Sequence, residues 1–210
     1  MKKELFTFTL KDITEIAVLV AMAIVLDKFV KIPIAITGGS IKFSMVPIFV
    51  IALRHGPFKT FIAGGIVFGL IAVLLSPYGF QTYPLEYLVA FGSTCILGFF
   101  SPYINRSFNE KNKNKIIISI ILIVLSISMW GLIRWIVASI DSVWFYAYSF
   151  VDGLAYHATY VLPSAAIDII LVSLLAPTIT ALSRRHPTPY LKAYKKEEAI
   201  QDNSSKQQDV

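Results

Sequence analysis

"IKFSMVPIFVIALRHGPFKTFIAGGIVFGLIAVLLS", residues 41–76, decides the fold. It holds two apolar runs separated by RHGPFK at 54–59. The first offers only about a dozen apolar residues before Arg54. The second approaches the roughly 20 residues needed to cross a hydrocarbon core. Gly65 and Gly69 in that second run stand in a G-x-x-x-G arrangement, which lets a neighbouring helix pack closely.

The same character extends in both directions. The chain has 210 residues, 56% hydrophobic and 15% charged, with a mean hydropathy of +0.67. Soluble domains carry roughly 25% charge. The expected architecture is an all-α membrane protein with six transmembrane helices at 12–31, 41–54, 58–76, 84–104, 115–137 and 157–183. Residues 1–183 form the membrane domain, and 184–210 a basic cytoplasmic tail, partly disordered, whose sequence lacks the apolar content to pack.

Net charge is +6, but its distribution points to a membrane rather than to nucleic acid. With the N-terminus inside, Lys2, Lys3, Lys11, Arg54, Lys59, Arg106, Lys111, Lys113, Lys115 and the tail from Arg184 fall on the cytoplasmic side. The outer side keeps Lys28, Lys31 and Lys42. That asymmetry gives both termini inside. Cys95 is the single cysteine and can form no internal disulfide. The N-terminal sequence shows no signal-peptide cleavage pattern, so the first helix is expected to be retained.

Helix one contains Ala17, Ala21 and Ala23, with Ala17 and Ala21 at small-xxx-small spacing. After it, Pro33 and Gly38-Gly39 break the helical pattern. Irregular backbone at membrane depth is tolerated when it is buried in protein or lines a cavity, so residues 32–42 are a candidate lid over an outward-facing site, with Gly38, Gly39 and Ser40 at its centre. GGSIKFS is not a phosphate loop, and no G-x-x-x-x-G-K-[ST] occurs.

YPLEYLVAF, residues 83–91, poses the functional question. Glu86 has no basic residue within a helical turn of sequence. A carboxylate at the bilayer centre costs at least about 2.5 kcal/mol, so such residues mark pathways or ligands. Between helices five and six the chain is dense in aromatics: Trp144, Phe145, Tyr146, Tyr148, Tyr156 and Tyr160, with His157 among them. Flat aromatic faces can stack a heteroaromatic ring or meet a cation. Arg134 and Asp168 are expected to neutralise one another. Three histidines without H-E-x-x-H spacing make no metal site, and no nucleophile elbow is present; no catalytic residues or cofactors are expected.

The segment from Thr37 to Ile71, followed by PLEYLVAFG and YHATYVLP, resembles the thiamine-specific substrate-binding S-component of energy-coupling factor (ECF) vitamin transporters. The likeness covers about residues 12–183. It implies a six-helix S-component fold in the bacterial plasma membrane, a vitamin pocket closed by the first loop, and thiamine as the substrate. It also implies three partners, a transmembrane coupling subunit and two cytoplasmic ATPases. Ala17 and Ala21 map onto the coupling-subunit contact. Glu86 and Tyr87 match the family's Glu-Tyr pair, with Glu86 as counter-charge or acceptor for the ligand. Tyr83, Trp144, Tyr146, Tyr148 and His157 complete the expected site, and either Trp144 or Tyr146 takes the stacking role. Family members place Asn where this chain has His157, and their helix-five histidine and glycine are replaced around VASIDSVWF. A thiamine-precursor pyrimidine or another B vitamin is therefore the alternative ligand. A stand-alone channel or exporter would need an internal charge pathway or inverted repeats, and no convincing repeat is seen.

Overall fold

The computed structural model describes residues 6–34, 39–76, 79–110 and 112–197. Helix α1 spans Leu10–Phe29 and starts at a capping box in which Thr9 and Asp12 each bond the other's backbone N–H. Its buried stripe is Asp12, Ile16, Val20, Ala23 and Asp27, the three-and-four spacing of one helical face. Ala17 and Ala21 lie on the opposite, exposed face. Ala23, expected beside them, is instead fully buried.

The candidate lid is a β-hairpin. Strand β1, Lys31–Pro33, pairs antiparallel with β2, Ser40–Lys42, and Ile34 N–H donates to Gly39 O at 2.8 Å. Gly38 lies outside the described residues.

Helix α2, Met45–Leu74, consists of two arms. Gly56 separates them with φ 79° and ψ −178°, a conformation that disfavours side chains, and Pro57 follows without an N–H to donate. The chain reverses there. Ser44 and Leu75 both lie at the end of α1 carrying Asp27 and Lys28, whereas Arg54 and Lys59 both reach its other end at Glu15 and Asp12. Ile48 correspondingly touches Gly64. The break at 54–59 is therefore a hairpin turn, as the two apolar runs implied.

Helix α3, Phe80–Glu110, returns antiparallel to the second arm. A Cβ on Gly65 would meet Leu88 O at 2.9 Å, which accounts for glycine in this G-x-x-x-G pair. Helices α4, Lys113–Tyr146, and α5, Phe150–Arg185, pack along each other. At 1.5 Å per residue each is about 50 Å long, well beyond a hydrocarbon core of about 30 Å. Among the described residues four stretches, α2 (taken over both its arms) and α3 to α5, are long and apolar enough to cross a membrane; α1 has an uncharged centre between charged ends. Phe49 and Trp130 meet edge to face at 5.3 Å in the core, while Ile117, Ile121, Leu125, Met129, Leu132 and Ile136 leave one face of α4 apolar and exposed. A helix that is apolar outside as well as inside suits lipid.

The chain thus runs six times along one bundle, and the described ends lie together at what we term the inner end. Here the charges at 54–59, expected on the cytoplasmic side, are withdrawn from water. Lys59 is fully buried, with Nζ 2.8 Å from Asp12 Oδ2. Buried Arg54 grips the Glu15 carboxylate with Nε and with a second nitrogen at 2.9 Å. His55 lies 3.3 Å from Asp12 and 3.5 Å from Glu15. Charges withdrawn from water persist when paired, and α1 supplies both carboxylates. The sequence after Leu182 also packs, contrary to expectation. Residues 189–197 are helical, and Tyr190, Leu191 and Ala193 are buried. Thr188 Oγ1 donates to Arg54 O at 2.6 Å and Tyr190 OH to Gly98 O at 3.3 Å. Burial pushes the Tyr190 phenol up to about 12, which keeps it a donor. Residues 198–210 lie outside the described residues.

Candidate ligand-binding site

At the outer end a cavity of about 320 Å³ lies beneath the hairpin, between the end of α1, the second arm of α2, and the outer turns of α3, α4 and α5. It is at the small end of ligand pockets, which run about 300–1,000 Å³. A larger groove of about 650 Å³ beside α1 is walled mostly by Leu10, Val18, Leu19, Val50, Ile179 and Leu182. Its one carboxylate, Glu15, is already bound to Arg54. The polar cavity is the better candidate.

Glu86 and Tyr87 reach this cavity from Tyr83–Val89, where α3 is wound as a π-helix. Such turns recur at functional sites because they re-aim side chains within a helix. Tyr87 is buried, its ring edge-on to Phe91 at 5.3 Å. Tyr83 lies outside: its hydroxyl donates to Gly65 O at 3.2 Å and its ring stacks on Phe80.

One stripe of α4 supplies the facing wall. Arg134, Ala138, Asp141, Ser142 and Tyr146 recur at steps of three and four and all line the cavity. Arg134 is buried, its guanidinium carbon 5.1 Å from the Phe91 ring centroid and 5.6 Å from that of Trp130. The expected Arg134–Asp168 pair does not form. Asp168 is fully buried, and neither carboxylate oxygen has a hydrogen-bond partner among the described residues. Trp144 projects away and is 68% exposed, so of the two stacking candidates Tyr146 is the one that lines the cavity.

The aromatic stretch expected as a loop is mostly helix. Only residues 147–149 interrupt it, with Ala147 in the left-handed region at φ 56°. As a result Tyr156, His157 and Tyr160 stand one turn apart on α5, facing the cavity, with Tyr148 at the rim. Ser142 Oγ lies 3.1 Å from Ala138 O and 2.7 Å from His157 Nε2, and the Tyr160 hydroxyl bonds Nδ1 of the same ring. This chain of hydrogen bonds cross-links α4 to α5.

The hairpin is tied down from both sides. Lys42 Nζ lies 2.8 Å from Asp27 Oδ1, and Ser44 Oγ donates to the same oxygen at 3.3 Å. Lys42 N–H donates to Ser164 Oγ of α5 at 3.2 Å. Gly39 and Ser40 line the cavity, and any Cβ on Gly39 would overlap the Tyr160 ring. The sequence expectation had missed Asp27, Lys42, Arg134, Asp141 and Ser142 as cavity residues, whereas Tyr156 and Tyr160 of the expected aromatic wall do line it. For Arg134, Asp141 and Ser142 a signal existed, their common helical face.

A helical bundle with lipid-facing apolar surfaces defines a multi-pass membrane protein, and its polar, aromatic-walled cavity is the candidate site for a small ligand. A family model described as thiamine transporter protein (Thia_YuaJ) matches residues 13–184. The chain belongs to that family. It is therefore a transport protein rather than an enzyme. The thiamine transporter ThiT of Bacillus subtilis (strain 168) is 32% identical over 184 residues, covering 80% of this chain and 91% of that protein. Among solved structures, a ThiT from Listeria monocytogenes matches the fold at a TM-score of 0.68 and 24% identity, over 81% of this chain and 97% of that one.

Proposed function

We propose that the chain is the membrane-embedded, high-affinity thiamine-binding subunit of an ECF-type importer. The observation that carries this is Glu86, which lines an aromatic-walled cavity in a member of the thiamine transporter protein family. A carboxylate there suits the positive thiazolium or the amino group of the aminopyrimidine, and the tyrosines suit either ring. Six passes span the membrane with both termini cytoplasmic, so the cavity opens outward and the hairpin covers it. Residues 1–183 are the membrane domain and the rest a cytoplasmic tail.

Uptake would need partners, because the chain has no nucleotide-binding motif to drive it. A transmembrane coupling subunit docking on the Ala17–Ala21 face, and two ATPases bound to it, would supply the energy. The exposure of both alanines supports that face as the contact. His157, expected from the sequence resemblance to be a departure from the family pattern, keeps a precursor pyrimidine as the second reading. Calorimetry on the purified chain, with thiamine set against a panel of B vitamins, decides between them. Sub-micromolar thiamine binding is expected; heat with another vitamin and none with thiamine overturns the substrate.

A further inference from the structure

Two lysines at the cavity mouth are engaged: Lys42 Nζ lies 2.8 Å from Asp27 Oδ1, and Lys28 Nζ donates to Leu75 O at 2.7 Å. Lys31 is exposed at the rim. Glu86, Asp141 and Arg134 also line the cavity. Asp141 is only 2% exposed, and its Oδ1 has no hydrogen-bond partner among the described residues although it borders the cavity. No ion pair within 4.0 Å joins it to Arg134 among the described residues. Leaving a buried carboxylate oxygen unbonded is costly, so it needs a donor or a cation delivered from outside.

We infer that Asp141 is a residue that makes this cavity select a cation: its unbonded carboxylate oxygen meets the positive charge of a cationic ligand, which an uncharged isostere does not supply. The inference rests on the reading of this cavity as the thiamine site. It adds a specificity determinant on α4, in the stretch VASIDSVWF.

The test uses the full chain in detergent and two probes, thiamine and its deaza analogue, in which an uncharged thiophene replaces the thiazolium. Wild type is expected to prefer thiamine, and Asp141→Asn to reduce that preference by about tenfold or more, with the analogue's affinity moving less than about threefold. Asp141→Glu, which restores the charge, is expected to restore the preference. Asp141→Ser gives the same readout if the asparagine variant does not fold. Equal weakening of both probes assigns Asp141 a merely structural role and overturns the inference, as does an unchanged preference. A wild type that binds neither probe overturns the thiamine reading itself, and this inference with it.

Discussion

Glu86→Gln keeps the side chain's shape and one acceptor oxygen while removing its charge. A cation centred in a cavity of about 320 Å³ sits roughly 5 Å from the carboxylate that lines it. At an effective dielectric constant near 20, two unit charges at that separation attract by about 3 kcal/mol. Arg134 sharpens the loss, since without Glu86 its guanidinium faces the ligand's positive charge with only Asp141 to offset it. Breaking one side of a desolvated pair typically costs about 3–5 kcal/mol. Thiamine affinity should therefore fall by about two to three orders of magnitude, since each 1.4 kcal/mol is about tenfold. Titration calorimetry reads the affinity, and thermal melting of the ligand-free variant reports separately on stability. A variant that melts normally and binds thiamine as tightly as wild type would refute the assignment of Glu86 as counter-charge.

Replacing Ala17 and Ala21 together by Trp should abolish thiamine uptake in cells yet leave binding in detergent near normal; loss of binding as well would mean the face serves the fold, not a partner. At the inner end, Lys59→Met strands the Asp12 carboxylate in the interior and should cost about 3–5 kcal/mol, visible as a lowered melting temperature. Adding Asp12→Asn should recover part of that loss, and a double variant no better than the single would argue against direct pairing. Gly56→Ala forces a side chain into positive φ and against the Tyr190 ring, 2.7 Å away, so about 1–3 kcal/mol of stability should be lost. His157→Asn breaks a bridge between Ser142 and Tyr160; thiamine affinity should hold or improve, while the melt drops by the equivalent of about 1 kcal/mol.

The apolar runs made the bundle legible, because membrane helices are long and their charges scarce, and the Arg-His-Gly-Pro stretch marked the one reversal inside α2. Legibility failed where short-range signals compete with packing. Residues 138–146 and 150–156 look like interfacial loop by their aromatics and Ser-Asp content, yet they contain no proline to stop a helix, and pairing of α4 with α5 carries both onward. Arg54 and Lys59 look like cytoplasmic surface because nothing local shows that Glu15 and Asp12, some forty residues earlier, will close over them. Glu86 could be picked out from composition, being a carboxylate in a greasy run, and Tyr87 only from the resemblance to the family's Glu-Tyr pair. Asp141 could not be, since its meaning comes from a cavity that five helices and a hairpin assemble. The helical step from Arg134 to Asp141 was the only clue available in one dimension.

The central claim, that this cavity holds thiamine, is tested most directly by mass spectrometry of the small molecule released when the chain is purified from cells grown with a full complement of vitamins. The account expects thiamine, close to one per chain, and its loss from Glu86→Gln purified in parallel. Recovery of a different vitamin, or thiamine retained equally by the variant, would contradict it.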